Sequence, residues 1–254
     1  MKKPILKISI LCFLSMTFIG KSFGQAPLND SSYVQAAVAQ NVTNFYKAIG
    51  PESRLYNGHE YSPYDPHIKG NALFPYNVQS WEYGKVNYDG IVYQNVPLMY
   101  DINKDVVVVL LYNKFSMFAL ISNRVHDFSF ANHHFVRVVA DSLGKNEAGL
   151  TTGFYDQLYG GKIEILAKRT KSLQGTTNNS GSVPETYFLS KDEYYLKKGN
   201  TYYNLSLSQG SILKLLKDKK SELQQYLKRN KIRFKDDREG NMARIGAYYD
   251  SLTH

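Results

Sequence analysis

Apolar positions along this chain follow two rhythms, a helical one at both ends and an alternating one in between. After Asn29-Asp30-Ser31-Ser32, whose short polar side chains suit a helix start, Val34, Ala37, Val38, Val42, Phe45, Tyr46 and Ile49 recur at three- and four-residue spacing until Gly50-Pro51. That predicts one amphipathic N-terminal helix. Leu55 to Tyr76 has no clear period and reads as an ordered loop. From Trp81 the chain becomes a series of short Val-, Tyr-, Phe- and Ile-rich runs punctuated by Gly, Asn or Asp, the pattern of successive hairpins. Tyr83–Tyr88 and Ile91–Tyr100 flank Asp89-Gly90, a dipeptide suited to the positive φ angles of a tight turn.

Further strands are expected at 105–112, 115–121, 125–130, 134–140, 153–159 and 162–168, with neighbours antiparallel. A polar tether is expected at 172–182, then short strands at 186–189, 193–196 and 201–205. Ser208 or Ser211 opens a helical pattern through Ile212, Leu215, Leu216, Leu223, Tyr226 and Leu227; Asp236 and Glu239, spaced as a capping box, precede Met242, Ile245, Tyr249 and Leu252. The sum is a mainly β (α+β) chain: a curved antiparallel sheet or open barrel of about nine to eleven strands, one N-terminal helix, and a C-terminal helix pair over about 208–252. No repeat of solenoid length interrupts it, so a single β-rich domain is expected over 25–254.

The first residues change this picture. Lys2, Lys3 and Lys7 precede or flank the apolar run Ile8–Ile19, too short to span a bilayer comfortably, and Ser22 and Gly24 occupy the −3 and −1 places before Gln25. Residues 1–24 thus read as a signal peptide cut between Gly24 and Gln25, which places the product in the periplasm, at the cell surface or outside. The one cysteine, Cys12, leaves with that peptide, so the mature chain has to be held by burial alone. Net charge falls from +9 to about +5. Basic runs at 168–171, 214–220 and 228–235 read as solvated faces of amphipathic elements, or as contacts to lipid headgroups or acidic glycans; nucleic acid is not an expected partner, and neither is integral membrane insertion after processing.

Candidate chemistry is sparse. Asp101-x-Asn103-x-Asp105 starts like a calcium loop, but Val106 and Tyr112 stand where Gly and a bidentate Glu belong, so a polar turn is the better reading. His59, His67, His126, His133 and His134 are the only imidazoles near carboxylates or one another; His133 and His134, as strand neighbours, would face opposite ways, so neither a metal nor any other cofactor is expected. There is no Gly-x-Ser-x-Gly, His-Glu-x-x-His or phosphate loop, and no mature cysteine nucleophile. The unusual bulk property is aromatic: 21 tyrosines and one tryptophan, with Tyr56, Tyr61, Tyr64, Tyr76, Trp81 and Tyr83 clustered as a candidate ligand platform. Tyrosine also suits half-buried strands, which is the competing use.

The Ser22-Phe23-Gly24-Gln25 junction, the phrase from Trp81 to Val96, and the tail from Phe234 to Leu252 with Tyr248-Tyr249 resemble exported proteins of unknown function from Bacteroidota. The resemblance implies an envelope or secreted location and supplies no activity. Asp141-Ser142-Leu143 and Asp250-Ser251-Leu252 also resemble the short O-glycosylation acceptor pattern of such bacteria. The expectation is a non-enzymatic envelope module binding a glycan, lipid or envelope protein; the alternatives are a secreted hydrolase using carboxylates and a carrier of apolar ligands.

Overall fold

The computed structural model describes residues 30–50, 53–75, 81–176 and 185–253; the expected cleavage site at Gly24-Gln25, Tyr76 and the latter part of the expected tether lie outside them. The described residues fall into two units that divide after Gln40. Helix α1 (Asp30–Ile49) runs across their boundary, with Val34, Val38 and Phe45 exposed.

The second unit is built on one sheet. Its strands are β1 (His59–Glu60), β2 (Leu73–Phe74), β3 (Glu82–Tyr88), β4 (Ile91–Asp101), β5 (Val106–Leu110), β6 (Met117–Ala119), β7 (Val125–Phe130), β8 (His133–Val138), β9 (Lys145–Asn146), β10 (Gly153–Gly160), β11 (Ile163–Gly175), β12 (Thr186–Lys198) and β13 (Thr201–Leu205). The order is β1-β6-β5-β4-β3-β7-β8-β10-β11-β12-β13-β9, with β2 beside β4. All pairings are antiparallel except β13 with β9. The fold is thus an open, antiparallel-rich sheet, as the alternating pattern implied. Its 13 strands exceed the expected number because three of them, β1, β2 and β9, are two-residue segments inside stretches that carry no alternation.

Three local expectations need correcting. The meander does not pass from β6 to β7: a 3-10 turn at Ser122–Arg124 carries the chain back, Asp89 N donates to Arg124 O, and β7 pairs with β3. Burial sets that register, because it points Val125, Phe128 and Phe130 into the core beside Val86 and Tyr88. The expected tether begins too early, since β11 and β12 stay paired as far as Gly175 and Thr186. A two-stranded arm can form on backbone hydrogen bonds without burying a face, so hydrophobic alternation does not reveal it. The last helix is capped by Asp237, whose side chain accepts from Gly240 N, and not by Asp236, which pairs with Arg233.

The sheet rolls strongly. Register shifts in β3 and β10 add local bends, and the Asp89-Gly90 turn takes φ values of 54° and 78° to join β3 to β4. As a result the β4–β5 turn reaches β10 and β11, four and five strands from β4 in the order. Asp105 accepts from Lys168 Nζ at 2.7 Å and from Phe154 N, and Lys171 N donates to Ile102 O. The rolled interior is aromatic: Phe128 stacks on Phe135 at 4.8 Å, and Tyr100 and Phe154 meet Phe128 edge-on. Each buried ring of this kind contributes roughly 1.5–3 kcal/mol, which is how a chain without disulfides gains its core.

A second core lies under the C-terminal helices α2 (Gln209–Leu215), α3 (Lys220–Arg229) and α4 (Arg238–Leu252). Ile212, Leu216, Leu223, Met242 and Ile245 bury their apolar positions against Ile163, Ile165 and Leu196. Gly246 permits the close approach of α4, since a Cβ there would lie 2.7 Å from the ring of Tyr159.

Candidate functional site

Between the two cores the sheet carries a buried ionic cluster. Cross-strand pairing of β10, β11 and β12 opposes Asp156 to Ala167, Arg169 to Asp192 and Ala167 to Tyr194, so these side chains share a face. Arg169 is 4% exposed and Asp156 1%. The guanidinium donates to Asp156 Oδ2 through Nη2 at 2.7 Å and Nε at 3.2 Å, to both carboxylate oxygens of Glu239 on α4 at 2.7 and 2.9 Å, and to Asp192 at 3.1 Å. Burial alone disfavours the arginine's charge, but its hydrogen bonds to Glu239 and Asp156 outweigh it and hold the proton more firmly than usual. Burial likewise pushes Glu239 up, yet Arg169 and Tyr194 hold its carboxyl below the ordinary value.

The basic run 168–171 is therefore no solvated face. Lys168, Arg169 and Lys171 are all buried, because the β4–β5 turn, the segment around β2 and α4 pack over this part of β11. Lys168 binds Asp105, and Lys171 donates to Asn71 O and Leu73 O at 2.7 and 2.8 Å. Burial lowers the Lys171 pKa to about 8.

His133 joins the cluster to the surface. It is the first residue of β8, its Nδ1 lies 2.8 Å from Asp156 Oδ2, and Phe74 meets its ring edge-on at 4.8 Å. Asp156 accepts from Arg169 on the same oxygen, so the contact is one in which His133 donates from Nδ1. A third of the side chain is exposed and lines an open groove of about 560 Å³ at the β7–β8 hairpin and the start of β3. Glu82, Tyr83, Ser129, Phe130, Asn132 and His134 complete it. Ala131 and Asn132 hold φ values of 49° and 63°, which fixes the hairpin tip. His134 faces away from His133, as strand alternation requires, and its Nδ1 sits 2.8 Å from Ser129 Oγ.

The aromatic candidates are dispersed. Tyr83 is 67% exposed in the groove. Tyr61 is buried; with the half-buried Tyr64 it donates to Asp101, and Lys104 Nζ sits over both rings. Trp81 is half-buried and packs with Tyr61 against Val108 and Ala119, while Tyr56 packs on Phe118. Five of the six candidates are described, and only Tyr83 offers an open ring face. Most other tyrosines serve the core, with Tyr88, Tyr100 and Tyr155 fully buried.

Of the remaining histidines, His67 and His126 are exposed beside Asp65 and Asp127, and His59 is exposed on β1. Among the described residues no group of three or more His, Cys, Asp or Glu side chains converges as a metal site would require. The carboxylates of Asp101 and Asp105 turn to different donors, Asp101 to Tyr61, Tyr64 and the amides of Asn103 and Lys104, and Asp105 to Tyr100 and Lys168. No helix among the described residues is long and apolar enough to cross a membrane. Sequence reasoning missed Asp156, Arg169 and Glu239 as a set, because Arg169 lies in a basic run and Glu239 in the polar first turn of α4. No protein-family model, curated protein or solved structure matches the chain.

Proposed function

We propose that the chain is an exported, non-enzymatic envelope module that binds a glycan in the groove between the start of β3 and the β7–β8 hairpin. The observation that carries this reading is the open face of Tyr83 beside Glu82, Asn132, His133 and His134. A sugar ring has an apolar face and an equatorial rim of hydroxyls, so an exposed aromatic ring flanked by fixed donors and acceptors matches it in both respects. Glycan in the envelope also agrees with the expected export signal. Titration calorimetry with cell-wall oligosaccharides tests the reading. Tyr83→Ala is expected to weaken binding at least tenfold without altering the fold, and equal binding by that variant would end it.

A second reading, a secreted hydrolase, is favoured by one observation: the imidazole of His133 is oriented by Asp156 at the groove wall. A carboxylate-held imidazole is the arrangement of a general base. Oligosaccharide cleavage that disappears in His133→Gln, with binding kept, would select this reading over the first.

A further inference from the structure

The strongest apolar exposure among the described residues of the second unit lies on the tip that joins β5 to β6. Phe115 is 87% exposed and Tyr112 63%. The tip is not loose. Asn113 Oδ1 accepts from the amides of Phe115 and Ser116, Asn113 Nδ2 donates to Ser116 Oγ, and Leu111 N closes the turn onto Ser116 O. Lys114, also exposed, is held between the two rings in the sequence with a φ of 61°. No acidic residue occurs between Asp105 and Asp127, whereas Lys114 and Arg124 do. The turn is thus a projecting, hydrogen-bonded scaffold that presents two aromatic rings and a cation to its surroundings.

We infer that this tip is a peripheral attachment point for an anionic lipid surface. Aromatic rings with an apolar body and, for Tyr112, a polar rim partition to the bilayer interface, and a neighbouring lysine is drawn to anionic headgroups. Size decides against a protein partner as the main occupant. Two aromatic side chains bury roughly 300–500 Å² together, well short of the ~800 Å² each partner contributes to a stable protein interface. A lipid interface deforms around a convex tip and sets no such minimum.

The register adds a geometric point. β3 rises from Glu82 opposite Leu98 to Tyr88 opposite Ile91, and β5 runs from Val106 opposite Asp101 toward Leu98, so the β5–β6 tip points toward the Tyr88 end. β7 runs the other way, from Val125 opposite Tyr88 to Ser129 opposite Lys85, and delivers the groove hairpin to the Glu82 end. Attachment through Phe115 leaves the groove facing away from the bilayer.

The test uses the full chain and vesicles of phosphatidylcholine with and without phosphatidylglycerol. The unaltered chain is expected to sediment with the anionic vesicles. Phe115→Ser should weaken this about tenfold or more and Lys114→Glu about fivefold or more, both with unchanged circular dichroism. In Phe115→Trp, brominated lipid should quench emission beyond that of Trp81 in the unaltered chain. Equal sedimentation of the unaltered chain and the Phe115→Ser/Tyr112→Ser double variant, or no added quenching at position 115, would overturn the inference. So would a Phe115 defect seen only on protein-bearing membranes. None of these outcomes bears on oligosaccharide binding at Tyr83, so the two readings stand or fall separately.

Discussion

Replacing Arg169 by methionine tests the central claim that the ionic cluster fastens α4 to the sheet. The substitution keeps much of the stem's volume and removes every guanidinium bond, so Asp156, 1% exposed, is left with His133 alone as a side-chain partner among the described residues. Glu239, with about a third of its side chain exposed, can recover water, and Asp192 is exposed to a similar degree. The penalty is therefore set mainly by Asp156, a buried carboxylate deprived of its counter-ion, for which about 3–5 kcal/mol is expected. Against a total stability of roughly 5–15 kcal/mol, that shifts the urea midpoint by about 1–2 M. Urea titration followed by Trp81 fluorescence and by circular dichroism measures it. Adding Asp156→Asn to the variant removes the stranded charge and is expected to restore part of the loss. A cost below about 1 kcal/mol for Arg169→Met, or a double variant no better than the single, would refute the reasoning.

Acid should loosen the same joint. The Glu239 carboxyl is held below its ordinary value of 4.5, so its contribution is complete above pH 4.5 and is lost as pH falls through the lowered folded-state value; thermal melts should fall more steeply on acidification for the unaltered chain than for Glu239→Gln. Asp101→Ala strands two tyrosine hydroxyls and two backbone amides and is expected to cost about 2–4 kcal/mol in urea titrations, while Tyr61→Phe, which removes one donor, costs about 1 kcal/mol. Gly246→Ala gains about 1 kcal/mol of helix propensity but drives a methyl to 2.7 Å from Tyr159, so a net loss of up to about 2 kcal/mol is expected; a raised melting temperature would contradict the close approach of α4.

How much of this was legible depended on whether a residue's role follows from its immediate neighbours. β3, β4, β7 and β13 could be placed because each is a short run rich in Val, Tyr, Phe or Ile set off by turn residues such as Asp89-Gly90 and Ala131-Asn132. The start of α2 was legible as Ser208 or Ser211 for the same local reason, and Ser208 is the residue that caps it. The return of β7 to β3 was not, because strand pairing is decided by which faces bury together across 40 or so residues. The cluster was hidden more deeply. Lys168-Arg169-Thr170-Lys171 looks like a solvated run until the β4–β5 turn, the β2 segment and α4 are seen to pack over it, and Glu239 looks like half of a capping box until α4 places it against Arg169. Of the groove, the sequence offered Tyr83 and the two histidines but nothing to join them, since the β7–β8 hairpin and the start of β3 meet only through the β3–β7 pairing.

The wall around the aromatic interior is held at one end by the Asp105 carboxylate on Lys168 and Phe154 N, with one backbone bond from Lys171 to Ile102 beside it, and not by a further row of paired backbones. A ladder of main-chain bonds forms with almost any side chains, whereas this fastening depends on the identity of a few. Substitution along the strands should accordingly be absorbed where the same change at the fastening unrolls the wall, and parting it need not break a single strand register.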